Sequence, residues 1–202
     1  MANVPLSQGT DGRFRRSERT RQHLIETYLD LLKENPKRPT ADELAKQAGC
    51  SERSVFERFS DLQTLSLAAL DYALHQASAQ AVVRNVDGDR LSRIRSQVET
   101  RAETCERWLP LWRTLLHTQH DSEELPRRIE CTRDTMLARL ELMYRPELST
   151  LSAAERREVL IALEALTDFE SWGRMRQRHG LSVEAAREVW INTIGRILPP
   201  TP

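Results

Sequence analysis

The sequence predicts an all-α chain: a small N-terminal helix-turn-helix domain followed by a larger helical domain. Three observations carry this. Apolar residues recur at three- and four-residue spacing along most of the 202 residues, as one face of a helix requires. Helix-start signals, Ser or Thr followed three residues later by Glu or Gln, stand at Thr40, Ser60 and Ser152. No segment alternates apolar and polar residues with a period of two, and no internal repeat is present.

The first helix is read from Ser17, where Leu24, Ile25, Tyr28, Leu29 and Leu32 form an apolar stripe. It ends near Asn35, because two prolines within the next four residues stop a helix. Thr40 opens the second helix with Glu43 as its capping-box partner. Leu44, Ala45 and Ala48 make its inner face, and Gly49 ends it in the left-handed conformation glycine tolerates. Ser51 caps a third helix, SERSVFERF, and Ser60 with Gln63 opens a fourth over residues 61–83. On a helical wheel Val55 and Phe59 face a core while Arg53 and Glu57 point the opposite way. Ser54, Phe56 and Arg58 flank that outer face. Two short helices, a three-residue turn beginning with Gly and a capping Ser are the layout of a DNA-binding helix-turn-helix. A three-helix bundle with no nucleic-acid role uses the same caps.

Composition bounds the function. A hydrophobic fraction of 39% and a charged fraction of 30% are those of a globular chain. Thirty basic and 30 acidic side chains give a net charge of zero, which excludes a uniformly basic coat but not a local patch. Residues 13–21, RFRRSERTR, are such a patch, with five Arg against Glu18. It reads either as a solvated helix start or as an arm reaching phosphates or the minor groove. Three widely spaced cysteines make neither a disulfide framework nor a zinc knuckle and suit a reducing, cytoplasmic setting. No apolar run reaches 18 residues, so no membrane span is expected, and the first residues lack the apolar stretch of a secretory signal.

The stretch TADELAKQAGCSERSVFERFSDLQTL, residues 40–65, resembles the DNA-binding domain of the tetracycline-repressor (TetR) family of bacterial regulators. Thr40, Leu44, Ala45, Ala48, Gly49, Ser51, Val55, Phe56, Phe59 and Leu65 match that family's pattern. Cys50 replaces its usual Val, Arg58 its usual His or Tyr, and Leu62 the phosphate-binding Lys of many members. Ser60 and the helix start can replace that last contact. The resemblance implies DNA contacts from Arg13, Arg15, Arg16, Thr40, Ser51, Glu52, Arg53, Ser54, Phe56, Glu57, Arg58 and Ser60. The expected organisation is a flexible arm over residues 1–14, a DNA-binding domain over 15–62, and a ligand-binding and dimerisation domain over 63–202.

Behind a polar break at residues 85–89, Leu91, Ile94, Val98, Ala102 and Cys105 form a helical stripe. A separate short helix is read from Trp108 to His117, with Pro110 in its first turn. Another spans Pro126 to Tyr144 and closes at Arg145-Pro146. A penultimate helix opens at Ser152 with Glu155 and ends at His179-Gly180, and Ser182 caps the last. The penultimate helix has two apolar stripes, one through Val159, Leu163 and Leu166, the other through Ala162, Ala165, Phe169 and Trp172. One buried face needs one stripe, so a second copy of the chain is expected on the other. The expected two-fold interface comprises Val159, Leu163, Leu166, Glu170, Val183, Trp190 and Ile194, and the family resemblance implies the same kind of bundle. A wider monomer core is the alternative.

Cys105, Trp108, Trp112, Leu116, His117, Met136, Leu140, Tyr144, Phe169 and Trp172 are either core or the lining of an apolar pocket. The resemblance implies a small-molecule effector between these helices, and the tryptophans favour an apolar or aromatic one. His117, His120 and Asp121 have a metal-like spacing, but the segment reads as a helix end, and no metal or other cofactor is expected. No phosphate loop, nucleophile elbow or zinc-protease motif occurs, so no enzyme is expected. The expected function is a homodimeric repressor that binds a palindromic operator and releases it with effector. An activator or ligand-independent regulator, and a helical protein-interaction module without DNA binding, remain as alternatives.

Overall fold

The computed structural model describes residues 8–35, 37–80 and 85–202, with side chains from Phe14 onward except at residues 78–80. Among the described residues the chain is all-helical, with no strand. In order the helices are α1 (Gln8–Glu34), α2 (Ala41–Ala48), α3 (Glu52–Phe56), α4 (Leu62–Gln80), α5 (Arg90–His117), α6 (Glu124–Met143), α7 (Arg145–Leu148), α8 (Ala153–Leu166), α9 (Phe169–Gly173) and α10 (Val183–Ile197). The chain forms two compact units, residues 1–74 and 75–202.

In the first unit, Leu24, Ile25, Tyr28, Leu29 and Leu32 of α1 are buried, as are Leu44, Ala45, Val55, Phe59, Leu65 and Ala69. The Tyr28 hydroxyl meets Ser66 Oγ at 2.9 Å, fixing α1 to α4. That junction puts the start of α4 in the first unit, so the unit ends at Leu74 rather than at residue 62. Residues 8–14, expected as part of an arm, continue α1 as helical backbone; residues 1–7 lie outside the described residues. The capping box at Thr40 forms with Glu43, and Gly49 ends α2 at φ 66°. Ser60 does not cap α4. Asp61 does, its Oδ1 accepting from the Thr64 amide at 2.7 Å. A carboxylate is the stronger acceptor at a helix start.

The second unit is built around α5, which contacts α6, α9 and α10. The sequence break before Trp108 is absent: α5 runs unbroken through Pro110. Proline there forgoes one backbone hydrogen bond and costs about 3 kcal/mol in a helix interior. Leu109, Leu111, Trp112 and Leu115 are each at most 6% exposed, and burying four such side chains, at roughly 1.5–3 kcal/mol each, outweighs that cost. The penultimate helix is in turn shorter than expected. It ends at Thr167, whose hydroxyl returns to the Leu163 carbonyl at 2.8 Å. Asp168 then caps α9, a π-helical turn follows over Arg174–Arg178, and Gly180 takes φ 63°. Ser152 with Glu155 and Ser182 start α8 and α10 as expected.

Candidate functional site

The five residues of α3 hang on two anchors and one cap. Val55 and Phe59 are each 1% exposed. The Ser51 hydroxyl accepts from the Ser54 amide at 3.2 Å. Anchoring these positions forces the opposite face outward: Ser51, Glu52, Arg53, Phe56 and Glu57 are exposed, with Ser54 and Arg58 half-buried at the edges. Phe56 keeps 47% of its surface in solvent, and the Arg53 side chain keeps 88%. Arg53 donates from Nε to Glu57 at 3.1 Å, so that carboxylate steadies it one turn away. Arg58 approaches the same carboxylate at 3.8 Å. Thr40 and Ser60 are exposed on the flanking turns. On the inner side Arg21 lies 4.9 Å above the Phe59 ring and braces the base of α3 from α1.

The basic stretch lies in the first half of α1, exposed at its start. Arg15 and Arg16 are exposed there, and Phe14 is 70% exposed. The side chain of Arg13 lies outside the described residues. Phe14, Arg15, Arg19 and His23 border a shallow groove that also carries Glu18 and Glu26. Carboxyls at the local caps are held below their usual range. The Thr40 amide and hydroxyl act on Glu43, and the Thr64 amide and hydroxyl on Asp61.

The expected pocket residues are mostly core. Cys105, Trp108, Trp112, Leu140, Tyr144, Phe169 and Trp172 are each at most 5% exposed, Leu116 and Met136 are half-buried, and His117 faces solvent. The rings pack on one another: Trp112 stacks on Phe169 at 4.8 Å and Trp172 tilts against Trp190 at 4.8 Å. Guanidinium groups complete the cluster, Arg101 lying 4.5 Å above Phe169 and Arg133 5.9 Å above Trp112. The Trp172 indole donates to Glu106 at 2.6 Å, and Arg176 holds the Glu106 carboxyl below its usual range. Burial pushes the Cys105 thiol up to about 11, so it stays protonated. Among the described residues no three metal-ligating side chains converge, and no helix is long and apolar enough to cross a membrane.

The expected interface residues need correction. Leu163, Trp190 and Ile194 are fully buried within their own chain and cannot meet a partner. Val159, Leu166 and Val183 are half-buried, and Glu170 is engaged by both ends of the Arg113 guanidinium, at 2.7 and 3.0 Å. The exposed apolar positions of these helices are Ile161 at 54% and Val189 at 42%, with Ala162, Ala165 and Ala185 beside them. The apolar stripe was legible. Which of its edges faced inward was not, because the shortened α8 rotates Phe169 and Trp172 onto a separate helix. The buried arginines Arg93 and Arg101 were also missed. At helical spacing with Gln97 they look like a solvated stripe, and only partners distant in sequence reveal their burial.

No protein-family model matches the chain, and no curated protein matches it either.

Proposed function

We propose that this chain is a sequence-specific DNA-binding transcriptional regulator of the tetracycline-repressor type. It acts as a homodimeric repressor and releases its operator on binding an effector. The observation that carries this is α3: its apolar anchors are sunk in the unit while Arg53, Phe56 and Glu57 stand out from the opposite face. An arginine fork so exposed suits guanine O6 and N7, or phosphate. The Arg-rich start of α1 supplies a sequence-independent, salt-sensitive attraction. Two-fold pairing, which a palindrome demands, uses the exposed edge of α8 and α10 at Ile161 and Val189, against a second copy of the chain. The effector is apolar or aromatic and enters by parting the Trp112–Phe169 stack. Linkage then requires operator and effector to weaken each other by one factor.

Exposed Phe14 and Phe56 on the same unit favour a second reading, a protein-docking module. Selection of bound fragments from the source genome, followed by footprinting, separates the two. A shared palindromic sequence supports the regulator; folded protein that retains no fragments supports the module.

A further inference from the structure

The outer face of α3 pairs its exposed arginine with an acid. Arg53 donates from Nε to Glu57 Oε1 at 3.1 Å, with side chains 88% and 49% exposed. Glu57 Oε2 lies 3.8 Å from Arg58 Nη1. One carboxylate thus stands between the two guanidiniums of this segment. Stability does not account for it. Glu57 is the residue that ends α3, and a carboxylate there meets the negative end of the backbone dipole. Arginine four residues before a glutamate is the weaker order for a helical ion pair. An exposed pair contributes little to folding in either order.

Phosphate binding does not account for it either. Residues 51–61 carry Arg53 and Arg58 against Glu52, Glu57 and Asp61, so the segment has no excess positive charge to offer a phosphate backbone. A carboxylate on the same face repels that backbone. What Glu57 changes is the edge of Arg53 that is presented. With Nε engaged, the two Nη groups at the tip of the guanidinium remain as donors side by side. That fork matches O6 and N7 of one guanine.

We propose that Glu57 is a positioning residue that commits Arg53 to a single guanine in each half-site. The inference rests on the reading of α3 as the DNA-contacting face. The carboxylate holds the guanidinium by Nε, and its charge opposes a swing of Arg53 onto neighbouring phosphates. Glu57 therefore raises sequence preference while lowering overall affinity, and itself contacts no base.

Titration of the parent, Glu57→Gln, Arg53→Ala and the double variant at one salt concentration tests this. The probes are a genomic fragment selected by the parent, the same fragment with each half-site G·C pair changed in turn to A·T, and a scrambled fragment. Arg53→Ala should erase the preference at one guanine position. Glu57→Gln should melt at or above the parent and bind the scrambled fragment more tightly. It should lower the preference at that same guanine by about two- to five-fold, the worth of an exposed ion pair. On the Arg53→Ala background, Glu57→Gln should leave the preference unchanged. The inference alone is overturned by a Glu57→Gln variant that keeps the full preference or binds the scrambled fragment no more tightly. It is also overturned by an equal loss of preference without Arg53, since the carboxylate would then read a base itself. A Glu57→Gln variant that melts below the parent overturns it too, since the carboxylate would then hold the helix rather than the arginine. A folded parent that prefers no sequence overturns the reading of α3 together with it.

Discussion

The two units hold their candidate chemistry in opposite ways. In residues 1–74 the proposed contacts sit outside a five-residue helix, fixed by neighbours such as Ser51, three positions from the amide it caps. In residues 75–202 the notable groups are inside, and each is fixed from far along the chain. The Trp172 indole finds Glu106 66 positions away, and Arg93 finds Glu147 54 positions away. A surface held by local caps can be changed residue by residue while the fold persists. A core of interlocked rings and guanidiniums cannot, so substitutions in the two units should differ most in what they do to stability.

The largest effect should come from the second unit's interior. Trp190→Ala removes the ring that packs on Trp172 and should cost about 3–5 kcal/mol, measured by urea denaturation. A cost below about 1 kcal/mol would mean the two rings are not interlocked. Leu163→Glu should unfold that unit outright, since it buries an unpaired carboxylate. Ile161→Glu with Val189→Glu should leave melting nearly unchanged and convert dimers to monomers in sedimentation. If that double variant still sediments as a dimer, the exposed edge of α8 and α10 is not the interface.

Local caps give smaller effects. Ser51→Ala should cost about 0.5–2 kcal/mol and loosen α3, visible as faster amide exchange over residues 52–57. Unchanged exchange there would place the control of α3 in Val55 and Phe59 alone. The smallest effect concerns pH. Glu43 and Asp61 have carboxyls lowered by hydrogen bonds in the folded chain. Their contribution is therefore present above the ordinary carboxylate range and is lost as pH falls through the lowered folded values. Glu43→Gln should flatten part of the acid limb of a stability–pH curve, and an unaltered limb would remove Glu43 from it.

The same contrast explains what the sequence disclosed. Thr40 with Glu43, Gly49, Ser51, Ser152 with Glu155, and Ser182 announce helix ends within three or four residues, and each is found as read. The outward face of α3 follows from two apolar positions four apart. The misread elements are those where long-range burial, or a stronger cap next door, overrides a local signal. Pro110 reads as a helix start until four neighbouring apolar side chains are seen to be buried. Ser60 and Asp61 compete as adjacent caps, and the charged oxygen wins. The apolar residues on either side of Asp168 read as one helix, whereas in the structure Asp168 caps a separate one, α9. Arg93, Arg101 and Glu147 carry no local mark of burial. Their environment is made by α6, α7 and α9, which fold against α5 from elsewhere in the sequence.

The central claim is that the exposed face of α3 reads DNA sequence, and Arg53→Ala addresses it most directly. Titrate parent and variant with a selected genomic fragment and with the same fragment scrambled, at one fixed salt concentration. The parent should prefer the selected sequence by roughly a thousandfold or more. The variant should melt and sediment like the parent, yet lose about 1–3 kcal/mol of that discrimination. A folded variant that keeps the full preference, or a folded parent that shows none, would contradict the claim.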